Sequence, residues 1–408
     1  MTMPLHSSVA KVRQGTAFRR LAIYAGERCG LVRFSSLRFS GLLLLAFSCD
    51  AFAAVLPEDR VDLLYHGYDG GGVEVDGPSL LVQKSLGNSV SLGLNHYVDN
   101  VTSASIDVVV TASEYTEKRT ENSVSIDYLR QKSTMSFGYT KSDESDFDAT
   151  TYNVGISQDM FGDLTTVSLG FAFGDNIIGQ NGNDDFVEEA TVRSYRLGLS
   201  QIFTRDLIMA FTLETITDKG YLNNPYRSVR YLDSGSANGY SFQQEVYPQT
   251  RTSTAFAVRG NYYLAQRAAV HAGFRIFEDS WGIDATTYEL GYTLPYEEDW
   301  IIEARLRLHD QSSAEFYSDL FPFQDAQNFL ARDKELSTFT STSIGLGTSY
   351  DFGRSWTRIE RGSLNLELDW IRFDYENFRD LTQSGDVGNE PLYNFDAQVT
   401  RLYLSFWF

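Results

Sequence analysis

Apolar and polar side chains alternate strictly along most of this chain, in runs of about ten residues closed by a turn, and helical spacing is almost absent. Val90, Leu92 and Leu94 alternate with Ser91, Gly93 and Asn95, and Met135, Phe137 and Tyr139 with Ser136, Gly138 and Thr140. Val167, Leu169, Phe171 and Phe173 alternate with Ser168, Gly170 and Ala172. Ile344, Leu346, Thr348, Tyr350 and Phe352 alternate with Ser343, Gly345, Gly347, Ser349 and Asp351. Period two gives each strand one apolar and one polar face.

A soluble β-sandwich has the same period, so three further features decide. The polar face is very small or charged, as a wet lumen requires. Tyr139, Tyr262, Trp300, Trp370, Tyr403 and Trp407 stand near strand ends, where aromatic girdles meet the two membrane surfaces. Connections also alternate between short and long. Strands are predicted near 61–69, 76–86, 88–98, 121–131, 133–142, 149–158, 164–174, 190–203, 206–217, 251–264, 267–278, 283–294, 299–311, 339–352, 362–375 and 394–408, sixteen in all. Turns near Gly87, Lys132, Met160, Arg205, Gln266 and Glu297 are tight, with a longer one over 354–361. Long loops at 99–120, 175–189, 218–250, 312–338 and 376–393 fall on the other side. Short periplasmic turns and long surface loops are the pattern of an all-antiparallel, up-and-down transmembrane β-barrel. Fourteen strands is the alternative, if 61–86 stays out of the membrane.

Leu402, Leu404, Phe406 and Phe408 alternate with Arg401, Tyr403, Ser405 and Trp407 at the chain's end. A terminal aromatic on such a strand is similar to the signal read by the barrel-assembly machinery, an expected partner beside outer-membrane lipid and lipopolysaccharide. Left as a free edge the strand would invite aggregation; pairing with the first strand removes the edge.

At the other end, Lys11, Arg13, Arg19, Arg20, Arg28, Arg33 and Arg38 precede Gly41-Leu-Leu-Leu-Leu-Ala-Phe47 and then Ala51-Phe52-Ala53. A basic region, a short apolar run and an A-x-A site make residues 1–53 a secretory leader, with a basic lead-in long enough for translation to begin near Leu31 or Val32. The mature chain is then 54–408, placed in the outer membrane of a Gram-negative bacterium. Both cysteines, Cys29 and Cys49, leave with the leader, which excludes disulfides, thiolate metal sites and covalent haem. Phe47 argues against lipidation of Cys49. Removing the leader's seven basic and two acidic residues takes the net charge from −20 to −25, unfavourable for nucleic-acid binding.

The stretches Tyr65-His-Gly-Tyr-Asp-Gly-Gly-Gly72, Leu222-Asn-Asn-Pro-Tyr-Arg-Ser-Val-Arg230, Asp319-Leu-Phe-Pro-Phe323 and Gln327-Asn-Phe-Leu-Ala-Arg-Asp-Lys-Glu-Leu336 resemble a family of proteobacterial outer-membrane barrels of unknown function, over nearly all of the mature chain. The resemblance implies a partner system, since members are often encoded near a periplasmic flavin transferase and a small lipoprotein. It assigns no activity to any residue.

Alternation sets the faces. On 299–311, Trp300, Ile302, Ala304, Leu306 and Leu308 take the lipid side, so Glu303, Arg305, Arg307 and His309 face the lumen. The same parity turns Arg196, Glu214, Arg259, His271, Arg275, Glu367, Asp369 and Asp127 inward. Charges facing lipid would cost about 2–4 kcal/mol each near the midplane. Two arrangements fit: a basic wall facing carboxylates across a pore, which would select solutes, or pairs that cross the lumen and plug it. Loop 312–338 is the gating candidate. Asp325 is expected to cap a short helix over 325–335 with Arg332 and Lys334 towards its C-terminal end, and Phe321 and Phe323 to anchor the loop on the wall. With Phe329 and Arg332 as further gating candidates, the loop either folds inward as a constriction or lies on the rim as a lid.

Catalysis is the rival class. The mature histidines are His66, His96, His271 and His309; Gly70–Gly72 beside His66 reads as a tight hairpin, and no G-x-S-x-G or H-E-x-x-H is present. Asp143-Glu144-Ser145-Asp146 and Asp184, Asp185, Glu188 and Glu189 read as solvated acidic tips without a full Ca²⁺ loop. The expectation is a channel or transport component without cofactor or metal. A non-conducting scaffold docking a lipoprotein or flavin-linked partner is the alternative, with a rim hydrolase third.

Overall fold

The computed structural model describes residues 55–103, 115–352 and 359–408. The leader, the tip of loop 99–120 and most of the turn at 354–361 lie outside the described residues. Strands run in chain order as β1 (Arg60–Gly70), β2 (Val73–Leu86), β3 (Val90–Ser103), β4 (Tyr115–Arg130), β5 (Ser133–Asp143), β6 (Phe147–Met160), β7 (Thr165–Ile178), β8 (Glu188–Thr204) and β9 (Leu207–Gly220). A short hairpin, β10 (Ser228–Leu232) and β11 (Tyr240–Gln244), interrupts the series. Then come β12 (Thr250–Tyr263), β13 (Ala269–Asp279), β14 (Asp284–Tyr296), β15 (Trp300–Gln311), β16 (Phe339–Phe352), β17 (Arg361–Arg379) and β18 (Leu392–Trp407). All but β10 and β11 form one closed antiparallel barrel of sixteen strands, sealed by β1 against β18 from Arg60↔Trp407 to Gly70↔Ala397. Strands β1 and β2, which the fourteen-strand alternative left out, are therefore in the wall.

The outer surface carries the apolar set. On β14, Tyr288, Leu290, Tyr292 and Tyr296 point out, and on β15 Trp300, Ile302, Leu306 and Leu308 do. These belts span about nine residues, the reach of a tilted strand across hydrocarbon. The strands continue past the belt at the long-loop end, where the outer face turns ionic: Lys141 sits 3.0 Å from Asp143, and Arg372 binds Asp374 at 3.0 Å and Asp396 at 3.3 Å. At the other end Tyr262, Tyr296, Trp300 and Tyr350 form an outward girdle, with Trp300 and Tyr350 rings 4.8 Å apart. Tyr403 and Trp407 do not join it. Both occupy inward positions of β18: Tyr403 reaches Glu367 at 3.4 Å and buried Trp407 lies under Arg361 at 3.9 Å. Parity decides this, because Leu402, Leu404 and Phe406 already fill the lipid side.

Gly71 and Gly72, at φ +61° and +76°, close the β1–β2 hairpin in two residues, a left-handed pair that side chains would strain.

At the long-loop end the mouth is roofed. Loop 312–338 pairs with the β10–β11 region through isolated bridges, Tyr231↔Phe321 and Val246↔Leu330. Under it, Ala314, Phe316, Ala331 and Leu336 join Ile178 and Ala190 from β7 and β8, Tyr247, Trp281 and Ile283 in one buried apolar cluster. A second cluster lines the inner faces of β17 and β18 with Ile371, Phe373, Tyr375 and Val399, and Tyr317 packs against both. The loop thus leans on strands on both sides of the mouth. The helix expected over 325–335 is absent. Asp325 has φ +54°, and only a 3₁₀ turn, Lys334–Leu336, forms, capped by Asp333. The Leu330 N–H instead bonds Val246 O at 2.7 Å and the Arg332 N–H bonds Glu245 at 2.7 Å, which holds the backbone extended.

Candidate functional site

Every predicted lumen residue points inward, and the structure sorts all of them but Asp127, on β4, into two neighbouring groups. In the first, Arg305 on β15 reaches over β16 to Glu367 at 3.1 Å and Asp369 at 3.0 Å on β17. Arg401 on β18 approaches the same carboxylates from the far side at 3.2 and 3.1 Å. Glu303 stands 4.0 Å from Arg305 and accepts from Thr293, whose hydroxyl also meets His271 at 2.8 Å. Glycine makes this reach possible: a Cβ at Gly345 on β16 would collide with the Asp369 carboxylate and come to 3.0 Å of Arg305 Nε. Gly345→Leu should therefore separate Arg305 from Asp369, seen as a lower temperature for conversion of the folded, fast-migrating barrel on gels. Unchanged heat-modifiability would rule out the slot.

In the second group Arg259 on β12 and Arg307 on β15 share one carboxylate, Glu289 on β14, at 3.5 and 3.7 Å. Arg275 on β13 stands one inward position higher, with no ion-pair partner within 4.0 Å among the described residues and its guanidinium 5.3 Å from the Phe277 ring. His309 bonds Thr287 at 2.9 Å, and Arg196 bonds Glu214 at 2.7 Å. Asp127 faces in opposite Ser91 on β3.

The expected arrangement, arginines facing carboxylates across the pore, is corrected on this point. Each ion pair named here joins strands no more than two apart, so it runs along the wall. Nor do these pairs cross the lumen as a plug. Long guanidinium arms lie flat where a small residue intervenes, and a partner two strands away is nearer than one across the barrel. Arg401 and Glu289, absent from the sequence-derived set, were findable by parity, since Leu402 and the Tyr288/Leu290 pair fix their faces.

The outer roof holds a second ionic centre that no pattern announced. Arg230 on β10 is wholly buried, donates to both oxygens of Glu390 at 2.6 and 3.0 Å and pairs with the Asp319 carboxylate. Arg332 also binds Asp319, at 3.0 Å, and stacks 4.5 Å from the Phe378 ring. Of the gating candidates, Phe321 and Arg332 are buried in this junction, whereas Phe323 and Phe329 are exposed. Beside it, buried Glu245 takes hydrogen bonds from Arg332 N–H and from the Tyr247 hydroxyl at 2.7 Å, and Arg227 pairs with Asp333. Burial, reinforced by Asp333, pushes the Glu245 carboxyl up to about 7, against the pull of Arg227, the Arg332 N–H and Tyr247. A carboxyl raised on folding stabilises the fold while protonated and loses that contribution as pH rises through its folded value. Protection of 221–249 against protease should therefore fall progressively as pH rises from about 4.5 to about 7 and level off above that, and Glu245→Gln should flatten the profile. A wild-type profile without slope would refute the assignment.

Glu144 and Asp146 converge with Glu117 so that their carboxylates lie within 4.8 Å of one another. Each is already engaged: Arg119 lies 3.8 Å from Glu144, Ser145 bonds Glu117 at 2.6 Å, and Tyr226 bonds Asp146 at 2.5 Å. His66 bonds Asp99 at 2.7 Å and stacks on Tyr97 at 4.7 Å.

A family model described as a protein of unknown function (DUF3570) matches residues 111–195 and 187–362. No curated protein matches the chain. Among solved structures, a bacterial polysaccharide outer membrane secretin is 7% identical over 86% of this chain and 100% of that one, with a TM-score of 0.46. The outer membrane protein OpdK of Pseudomonas aeruginosa is 11% identical over 86% and 98%, TM-score 0.41. A mutant ferric enterobactin receptor, PfeA, of the same organism is 11% identical, covering 79% of this chain and 54% of the receptor, TM-score 0.42. Identity this low says nothing of shared activity.

Proposed function

Since this chain belongs to the DUF3570 family of proteins of unknown function, a premise that assigns no chemistry, we propose from its geometry that it is an outer-membrane barrel acting as a transport component for small solutes, with its outer mouth roofed by interlocked loops. The outward apolar belt and the closed, edgeless sheet support the membrane location. One observation carries the transport reading: the ion pairs of Arg259, Arg305, Arg307 and Arg401 run along the wall, an arrangement that suits a passage for solvent and solute. Purified protein in planar bilayers should conduct, with open events brief while the roof is intact. Barrels that are folded, inserted and electrically silent would overturn it.

A docking scaffold for a surface or periplasmic partner is the second reading, favoured by the exposed Leu232, Phe242, Phe323 and Phe329 on the roof. No catalytic step is part of either. His66 is held by Asp99 and Tyr97 inside a charged wall that also contains Arg119, 3.8 Å from Asp99, a structural setting for an imidazole.

The same reading assigns the last strand to recognition by the barrel-assembly machinery. Phe408 is partly exposed; its N–H bonds Asp59 O at 3.2 Å and its ring sits 4.8 Å from Lys84 Nζ, contacts too few for a large share of stability. Deleting Phe408 should reduce the amount of heat-modifiable barrel in cells several-fold while leaving the melting of assembled barrels nearly unchanged. Normal cellular levels would refute the role.

A further inference from the structure

The lumen wall has an imbalance that the barrel itself does not use. Among the described residues Arg259 and Arg307 share one carboxylate, Glu289, and Arg275 has none within ion-pair distance. Glu214 acts on Arg275 more strongly than Glu289 does, but it is shared with Arg196, which it meets at 2.7 Å. His309, one inward position above Arg307, is engaged with Thr287 and brings no negative charge. Among the described residues four guanidinium groups thus face two carboxylates, which leaves two positive charges uncompensated on one patch of wall.

Strand register makes the patch compact. Arg259 stands opposite Gly273 on β13, which stands opposite Glu289 on β14, which stands opposite Arg307 on β15. Arg275 lies two residues up β13, opposite Ala257 and Thr287. With about 4.8 Å between strands and about 3.4 Å per residue, the three Cα atoms fall within about 15 Å. Gly273 keeps the middle of the patch low: a Cβ there would come within 3.1 Å of Glu289 Oε2 and 3.8 Å of Arg259 Cγ. The heads are also reachable, for Arg259 and Arg307 keep 44% and 34% of their side-chain surface open. By contrast Glu367 and Asp369, which hold Arg305 and Arg401, are 6% and 7% open.

The choice of cation carries chemistry too. Lys84, Lys118, Lys141 and Lys219 all take outward positions on their strands, whereas the cations facing the lumen patch are arginine. Arginine's planar fork donates two parallel N–H bonds to one oxyanion, which lysine cannot do. A positive patch on a low-dielectric wall concentrates anions far more strongly than the same charges in bulk water.

We infer that Arg259, Arg275 and Arg307 form a binding subsite for small solutes bearing a dianionic oxyanion, a phosphate or a pair of carboxylates, within the passage. The inference rests on the transport reading for its purpose and is tested by binding, so that the two can fail separately. Mature protein folded in detergent is titrated with inorganic phosphate, succinate and chloride, by calorimetry and by ³¹P line width for phosphate; bilayer conductance is recorded in parallel. Phosphate and succinate should bind saturably and at least tenfold more tightly than chloride. Arg275→Gln should weaken both at least tenfold and Arg275→Lys by less, while Arg372→Gln, on the outer face, leaves binding unchanged. Heat-modifiability checks that each variant is folded, and Arg259→Gln supplies an independent test should Arg275→Gln not fold. Phosphate and succinate binding no tighter than chloride, or a folded Arg275→Gln within twofold of wild type, overturns the subsite. Saturable binding that Arg275→Gln abolishes, in a barrel that does not conduct, supports the subsite and overturns the transport reading alone.

Discussion

Replacing Arg230 by Leu is expected to release the outer loops from one another, at a loss of about 3–5 kcal/mol to the packed roof. The side chain is fully buried, and its cation faces both oxygens of Glu390 while its Nε donates to the Asp319 carbonyl at 2.9 Å. Those three residues come from β10, loop 312–338 and the β17–β18 loop, so one guanidinium joins three connections distant in sequence. Removing it leaves the Glu390 carboxylate buried with the Gly388 N–H at 3.0 Å as its remaining donor among the described residues; Asp319 keeps Arg332 and the Arg379 N–H. An unpaired buried charge is costlier than the pair was favourable, which sets the size of the effect. Trypsin should then cut within 312–338 in intact cells, and open events in bilayers should lengthen. Adding Glu390→Leu should restore most of the protease resistance, because an apolar pair can replace a buried ionic one. Loop cleavage no faster than in wild type would reject the latch.

Arg305 and Arg307 are two residues apart on the same face, yet their substitution should have different consequences. Arg305→Ser removes one of two cations holding Glu367 and Asp369, both nearly inaccessible, and should destabilise the barrel by about 2–3 kcal/mol. It also makes that side of the lumen more acidic. Arg307→Ser gives up a 3.7 Å contact with a half-open Glu289 and should leave the unfolding temperature within a few degrees of wild type. Its effect is on ions: the reversal potential in a salt gradient should move towards cations, further when Arg259→Ser is added. Equal melting shifts for the two single variants, or an unmoved reversal potential in the Arg307/Arg259 pair, would refute the division of the wall into two groups.

The sixteen strands, their faces and their connections were readable because a period of two is local: each strand carries its own record of which side met lipid. That parity also gives the inward direction of the lumen candidates, since a guanidinium in hydrocarbon is excluded whatever the neighbours are. It would have found Arg401 and Glu289 as well, and it places Tyr403 and Trp407 inside, where the rule that Tyr and Trp at strand ends form girdles misled. Asp325 shows the opposite limit. Its segment has good helix chemistry, but hydrogen bonds to Val246 and Glu245, residues about eighty positions away, take the backbone donors a helix would need.

By itself, then, the sequence determined the barrel, its topology and the inward direction of the charges, because those follow from the solvent each side chain must face. Only the tertiary structure decided which charge meets which: that Arg305 leans over Gly345 to Asp369, that Arg275 has no carboxylate within ion-pair distance among the described residues, and that Arg230 ties three loops together. Pairing depends on distances between strands and on which neighbour is small enough to reach over. Alternation along one strand carries no information about either.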